Sequence, residues 1–317
     1  MNRIHYRTVA SLFAIACAIH AAAPHVASAG IFGLWGFHPP AQSPVEDEDA
    51  EDSREIEGAG RSTLFQWNPA APVIGGPKID EPLVSDRPDF TEASVTVGYG
   101  VTQLEMGYTF TLDRNNGTHS QQQSYPELLL RQGLFADWFE LRLEWGFNDE
   151  FLHLVPNTNV DGNDSADLGV GCKLALTPQD EWRPETAMII NLTLPTGPGS
   201  HFVLPGVSYL YGWDLDDTWS LGGSTLGEMA VDDDGGQYLE VGQSLTLGCS
   251  LTEKVGSYAE WFALLPAGAQ TELPQHYING GLTFLVNNNL QFDVRAGAGL
   301  NAAADNFFTG AGAVIRR

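Results

Sequence analysis

The chain has 317 residues and a formal net charge of −25, from 15 basic and 40 acidic side chains. Such a surface repels nucleic acid and attracts counter-ions such as divalent cations, so we expect no nucleic-acid partner. Mean hydropathy is −0.13, and beyond the N-terminal region no segment reaches the roughly 18 apolar residues of a spanning helix, which excludes a helical membrane protein. A soluble secreted protein or a β-barrel with a polar lumen remains.

The N-terminal region has the pattern of a secretory signal. Basic residues precede an apolar stretch from Val9 to Ala23, and the small residues Ala27–Ala29 offer a cleavage site. We therefore predict a signal peptide over residues 1–29, removed before Gly30. A membrane anchor is less favoured because the apolar stretch is short and interrupted. A lipoprotein acylated at Cys17 is the other alternative.

Residues 30–83 differ in composition from the rest of the chain. Eight carboxylates fall between Glu46 and Glu57, and prolines surround them without any periodic apolar face. This composition predicts a mostly disordered acidic segment, because too little apolar surface exists to offset the entropy of ordering. A solvated tether is favoured over a cation-binding or partner-binding arm.

One run in the remaining sequence is typical of a strand that crosses a bilayer. Its two faces carry Phe139, Leu141, Leu143, Trp145 and Phe147 on one side and Glu140, Arg142, Glu144 and Gly146 on the other. Aromatic residues at both ends of an aliphatic middle suit two membrane interfaces and the hydrocarbon between them. The run spans about 26 Å, or about 20 Å of depth at a tilt near 40°.

The same alternation recurs along the chain in eleven further segments. They begin near Leu104, Leu128, Leu168, Met188, Val207, Trp219, Leu239, Val255, Tyr277, Leu290 and Phe307. About twelve strands of this length exceed ordinary soluble strands and are typical of an outer-membrane barrel, whose closure leaves no unpaired backbone. The predicted fold class is all-β, a transmembrane antiparallel β-barrel over residues 84–317. A soluble β-sandwich or propeller is the alternative.

The connections between these strands are predicted to alternate in length. Asn287–Asn289 and Thr252–Lys254 form short turns, while longer loops are expected around Asp161–Asn163 and Asp232–Gly236. We interpret the clusters Asp214–Asp217 and Asp232–Asp234 as solvated charge on outer loops, where divalent cations would bridge carboxylates to lipid phosphates.

Several short motifs recur in the order known from one barrel family. They are Ser85–Glu92, Gln103–Tyr108, Pro126–Arg131, Leu194–Gly197, Ala259–Trp261 and Asp293–Arg295. Together they resemble the phenol-degradation meta-pathway transporter-like family of outer-membrane barrels, over about residues 85–315. The resemblance implies a transporter-like or channel-like role for aromatic or other hydrophobic compounds.

If the apolar faces meet lipid, ten polar residues line the lumen and the path of a solute. They are Glu105, Glu140, Arg142, Glu144, Lys173, Asn191, Glu240, Glu260, Asp293 and Arg295. Arg142 and Arg295 among carboxylates could form a charge ladder that screens ions, or acids and bases could simply pair and fill the barrel. Twelve strands enclose a narrow passage, between small filled barrels and open porins.

Three charged residues precede the first strand. Asp86, Arg87 and Asp89 are too polar to lie in lipid. They are predicted either to enter the lumen as a partial plug, with Arg87 paired to wall carboxylates, or to form a periplasmic turn fixed by Pro88.

No catalytic or metal-binding motif stands out in the sequence. Gly-x-Ser-x-Gly, His-Glu-x-x-His and Cys-x-x-Cys are all absent. We expect no enzyme activity, no cofactor and no dedicated metal site. The predicted function is passive passage of small solutes, hydrophobic or aromatic, through the outer membrane. A structural or adhesin-like barrel with a plugged lumen is the alternative, and a barrel-embedded hydrolase a distant one.

Overall fold

The computed structural model describes residues 63–65, 81–115, 118–154, 158–232 and 234–317. The predicted signal peptide and most of the acidic segment lie outside these residues. The strands are β1 (Thr102–Asn115), β2 (Thr118–Gly133), β3 (Phe139–Leu154), β4 (Thr158–Ser165), β5 (Leu168–Thr177), β6 (Glu185–Leu194), β7 (Leu204–Asp214), β8 (Trp219–Val231), β9 (Gln237–Thr252), β10 (Val255–Ala267), β11 (Gln275–Asn287), β12 (Leu290–Gly299) and β13 (Phe307–Arg316).

These strands form one closed antiparallel barrel. Each pairs with its sequence neighbour, and β1 pairs with β13 to close the circle. The first half of β3 pairs with β5 and its second half with β4, so β4 and β5 together occupy one position of a twelve-stranded barrel. The prediction of an all-β barrel of about twelve strands is confirmed.

Side-chain exposure follows the alternation read from the sequence. On β3, Leu143 and Trp145 are 36% and 37% exposed, whereas Glu140 and Arg142 are buried. On β12, Phe292 and Val294 are about half exposed at 49% and 50%, while Asp293 between them is buried. The apolar face therefore lies on the outside of the barrel, and no second sheet in the described part of the chain covers it, which rules out the sandwich.

The two ends of the barrel differ. The Thr102 backbone donates a hydrogen bond to Arg317, so both ends of the barrel chain meet at one end, here called the termini end. Two-residue turns at 253–254 and 288–289 also lie there. The opposite end, called the far end, carries the longest described connection, 195–203.

Two expectations about loops were wrong. Asp161–Asn163 lies within strand β4, because its backbone pairs with the second half of β3. The two acidic clusters lie at opposite ends, since Asp216 belongs to the β7–β8 turn at the termini end and Asp232 follows β8 at the far end. Asp232 is also buried and accepts a hydrogen bond from the Gly236 backbone at 2.7 Å, so it holds a turn rather than standing in solvent.

The wall is irregular at one height on both sides of β3. The pairing of β2 with β3 shifts between Tyr125 and Leu128, next to Pro126, which has no N–H to donate to a ladder. On the other side, residues 166–167 interrupt the strand formed by β4 and β5. Gly146 lies between these irregularities, and a Cβ there would stand 3.0 Å from the Pro126 carbonyl oxygen. No helix in the described ranges has the length and apolar character of a membrane span.

Candidate functional site

Residues 81–100, here called the plug, lie inside the barrel. The segment starts at the termini end, where the Leu83 backbone donates to Asn288 at 2.8 Å and its side chain packs on Leu285 and Val314. It also returns to that end, because the Tyr99 backbone donates to Asp137 just before β1 begins. Between these points the plug contacts many strands of the wall and fills the lumen near the termini end.

Asp86 is the centre of a buried ion network that ties the plug to the wall. Its carboxylate lies 2.7 Å from Lys173 Nζ and 3.4 Å from Arg131, and it accepts a hydrogen bond from Arg142. All four side chains are at most 2% exposed. Burial opposes ionisation of Asp86, but the positive charges of Arg131, Lys173 and Arg142 outweigh it and hold the pKa of this carboxyl below its usual range.

Two wall carboxylates complete this network. Arg131 pairs with Glu140 at 2.8 Å and with Glu105 at 3.0 Å. Glu140 also accepts a hydrogen bond from the Val97 backbone, and Glu105 one from Ser85. The wall acids therefore hold both the basic residues and the plug.

Sequence reasoning did not single out Arg131, although it is completely buried at the heart of the network. The signal was present in the alternation, because Glu127, Leu129 and Arg131 share one face of β2 while Leu128 and Leu130 share the other. The bulge beside Pro126 interrupts that pattern upstream and hides it.

Arg87 links β2 to β12 across the two strands between them, one step further from the termini end. Its guanidinium pairs with Glu127 at 2.9 Å and with Asp293 at 3.4 Å. A Cβ at Gly107 or Gly312 would fall 2.1 Å or 2.3 Å from this guanidinium, so glycine at both positions makes room for it. Burial lowers the pKa of Arg87, but Asp293 and Glu127 more than compensate and raise it.

Glu260 of β10 and Arg295 of β12 contact residues 88–91 of the plug, here called the plug apex. Glu260 accepts hydrogen bonds from the backbones of Phe90 at 2.8 Å and Thr91 at 2.7 Å. Arg295 donates to the Pro88 carbonyl at 2.8 Å and to the hydroxyl of Thr109 at 2.8 Å. Arg142 and Arg295 thus contact the plug rather than forming a ladder along the wall.

An aromatic cluster lies beside the plug apex. The Phe90 ring stacks on Phe262 with centroids 4.5 Å apart, and Phe262 stacks on Tyr277 at 4.7 Å. Phe308 contacts both Phe262 and Tyr277, and Arg295 lies over its ring at 5.7 Å. The plug is therefore anchored by ions on one side of the lumen and by stacked rings on the other.

Between the plug apex and the far end lies a cavity of about 300 Å³. Its polar lining includes Glu92, Glu144, Asn191 and Thr193, which project from the plug, β3 and β6. Residues of the outer apolar face also reach it, among them Leu128 and Trp145, at the height where the wall is irregular. The cavity therefore extends from the lumen to the wall itself.

All but one of the predicted lumen residues lie around the plug or along the cavity beyond it. Around the plug lie Glu105, Glu140, Arg142, Lys173, Glu260, Asp293 and Arg295, together with Asp86, Arg87 and Asp89 on the plug itself. Glu144 and Asn191 line the cavity, and so do six of the residues around the plug: Glu105, Arg142, Arg295, Asp86, Arg87 and Asp89. Glu240 lies apart on β9, directly opposite Glu228 of β8, a buried carboxylate that sequence reasoning did not single out.

Two plug carboxylates have altered acidity. Burial and the charge of nearby Glu260 raise the pKa of Asp89 well above its usual range. Burial also raises the pKa of Glu92 to about 7, although Arg142 donates a hydrogen bond to it and opposes the shift. The surroundings of Asp89 and Glu92 therefore favour the protonated form of each carboxyl, whereas those of Asp86 favour the ionised form.

Comparison with known proteins places the chain in a family. A family model described as "Putative MetA-pathway of phenol degradation" matches residues 85–316. The chain belongs to this family. The match begins at the plug motif Ser85–Glu92 and ends with β13, so plug and barrel are covered together. No curated protein matches the chain.

Three solved structures were found to be similar to this chain, to different degrees. The COG4313 outer membrane channel from Pseudomonas putida F1 is 14% identical, with a TM-score of 0.55 over 71% of this chain and 98% of that one. The NanC porin is 8% identical, with a TM-score of 0.43 over 68% and 98%. The transport unit of the autotransporter AIDA-I from Escherichia coli is 12% identical, with a TM-score of 0.46 over 68% and 89%. The first of these shows the barrel fold.

Proposed function

We propose that the protein is an outer-membrane channel that passes small solutes, including apolar and aromatic compounds, by diffusion. The observation that supports this most is the cavity of about 300 Å³ beyond the plug, lined by charged and polar groups together with Leu128 and Trp145. A pocket of this size accommodates a small organic molecule. The proposal includes removal of residues 1–29 as a signal peptide and a barrel over residues 84–317.

The outer surface supports placement in a bilayer. On β11, Ile278, Leu282 and Phe284 are 50%, 47% and 49% exposed, which is costly in water and favourable against lipid tails. With its short turns, the termini end would face the periplasm and the far end the outside. Membrane lipid is thus the main partner, and divalent cations at the acidic loops stay a prediction.

Two routes lead out of the cavity. One follows the lumen and requires the plug to shift, because the ion network around Asp86 closes that path. The other leads to the irregular wall beside Gly146, where residues of both faces line the cavity. In either case the solute meets a narrow passage, so small molecules would be favoured over large ones.

Solute flux into proteoliposomes tests the proposal. Purified protein would be reconstituted, and uptake of arabinose and of phenylalanine, an aromatic solute that crosses lipid slowly, would be compared with empty liposomes. We expect uptake of both above the background. An Asp86→Asn variant, which loosens the plug, would speed uptake if the lumen is the route and leave it unchanged if the wall is.

The plug favours one other candidate, a structural barrel that does not conduct. Its buried ion pairs and stacked rings would close the lumen permanently in that case. Uptake no faster than that of empty liposomes, both for the native protein and for Asp86→Asn, would establish this candidate and refute the channel.

A further inference from the structure

The cavity beyond the plug has an unbalanced charge. Eight carboxylates and three guanidinium groups line it. Arg87 is already held by Glu127 and Asp293, and Arg142 by carboxylates of the plug and of β3. Arg295 donates only to the Pro88 carbonyl and the Thr109 hydroxyl, so among the described residues one guanidinium is left to offset the remaining acids.

Three of the lining carboxylates lie in no ion pair within the described part of the chain. Asp149 accepts a hydrogen bond from the Tyr125 hydroxyl at 2.5 Å, and Asp167 one from the Gly197 backbone at 2.6 Å. Asp89 is only 7% exposed, and its Oδ2 has no hydrogen-bond partner among the described residues. A fourth acid, Glu144, has a half-exposed side chain and shares Arg142 at 3.4 Å with stronger partners.

From this arrangement we propose that the cavity binds and passes small cations, inorganic or organic ammonium, in preference to anions. The inference rests on the proposed channel function and names the class of solute that this cavity favours. A cation in the cavity supplies the counter-charge that Asp149 and Asp167 lack, and it would favour the ionised form of Asp89, whose pKa is otherwise raised by burial. Low-dielectric walls strengthen the field of these carboxylates, as rings of acidic side chains do in cation channels.

The expected preference is measurable. A potential of about one kT at the cavity enriches a monovalent cation and depletes an anion, so their permeabilities would differ by roughly fivefold to tenfold. The effect should shrink at high salt, because ions screen the exposed carboxylates.

Reversal potentials in planar bilayers test this inference. The native protein would be measured under a KCl gradient, and then with benzylammonium chloride against potassium benzoate as an organic pair of similar size. A Glu144→Gln/Asp149→Asn double variant removes two cavity charges. Asp217→Asn is the matched control, because it removes an exposed carboxylate from the β7–β8 turn at the termini end.

We expect potassium and benzylammonium to be favoured in the native protein and the control, and the preference to fall at least threefold in the double variant. The double variant should keep the native heat-modifiable migration, which shows that the barrel is folded. Conductance without cation preference, or an equal preference in the double variant, would refute the selectivity and leave the channel standing. Absence of any conductance would refute both.

Discussion

Neutralising Asp86 should release the plug, whereas the same change at Asp89 should not. In Asp86→Asn, Lys173, Arg131 and Arg142 lose a carboxylate that all three share inside the barrel. Removing one partner from a buried ion pair costs about 3–5 kcal/mol, because the remaining charge is left uncompensated. If that cost falls on the docked state, opening of the plug becomes roughly a hundredfold to five-thousandfold more favourable.

Hydrogen–deuterium exchange of the backbone amides measures this change. The Val97 amide, which donates to Glu140 at 2.8 Å, should lose protection by about that factor in Asp86→Asn. Asp89→Asn is the matched control, because Asp89 lies in no ion pair of the described residues and its neutralisation leaves no cation unpaired. Unchanged protection in Asp86→Asn, or an equal loss in Asp89→Asn, would refute the view that this network holds the plug.

Two further predictions concern the same plug. The pKa of Glu92 is raised from its usual 4.5 to about 7, so protonated Glu92 stabilises the docked plug fully below about pH 4.5, and this stabilisation is lost as the pH rises through about 7. The protection factors of the plug amides should fall over the same pH range. A Glu92→Gln variant that kept this pH dependence would contradict the assignment to Glu92. Phe262→Ala removes the ring on which Phe90 stacks and should raise amide exchange of the plug about tenfold. Phe292→Ala on the outer face is its control, and an equal effect of both would argue against the aromatic anchor.

The alternation of side chains along each strand was enough to predict the barrel. A strand has a period of two, so Leu143 and Trp145 must share one face and Glu140 and Arg142 the other, whatever the strand pairs with. Polar residues on one face and long apolar residues on the other, repeated about twelve times, leave a closed barrel in lipid as the favourable arrangement. The inward direction of Lys173 and Asp293 follows from the same rule.

The position of the plug and the division of the lumen depended on tertiary structure. No local pattern marks Ser85–Glu92 as buried, because its central acid Asp86 is stabilised by Arg131 and Lys173, which come tens of residues later and from different strands. The tertiary structure also decided that the strand break at 166–167 and the bulge beside Pro126 lie at the same height of the wall. They do so because β2 and β5 pair with β3 on either side of Gly146. The face on which a side chain lies depends on its own strand alone. The ion pairs inside the lumen depend on closure of the barrel, because only closure brings distant strands within a few ångströms of the same carboxylate.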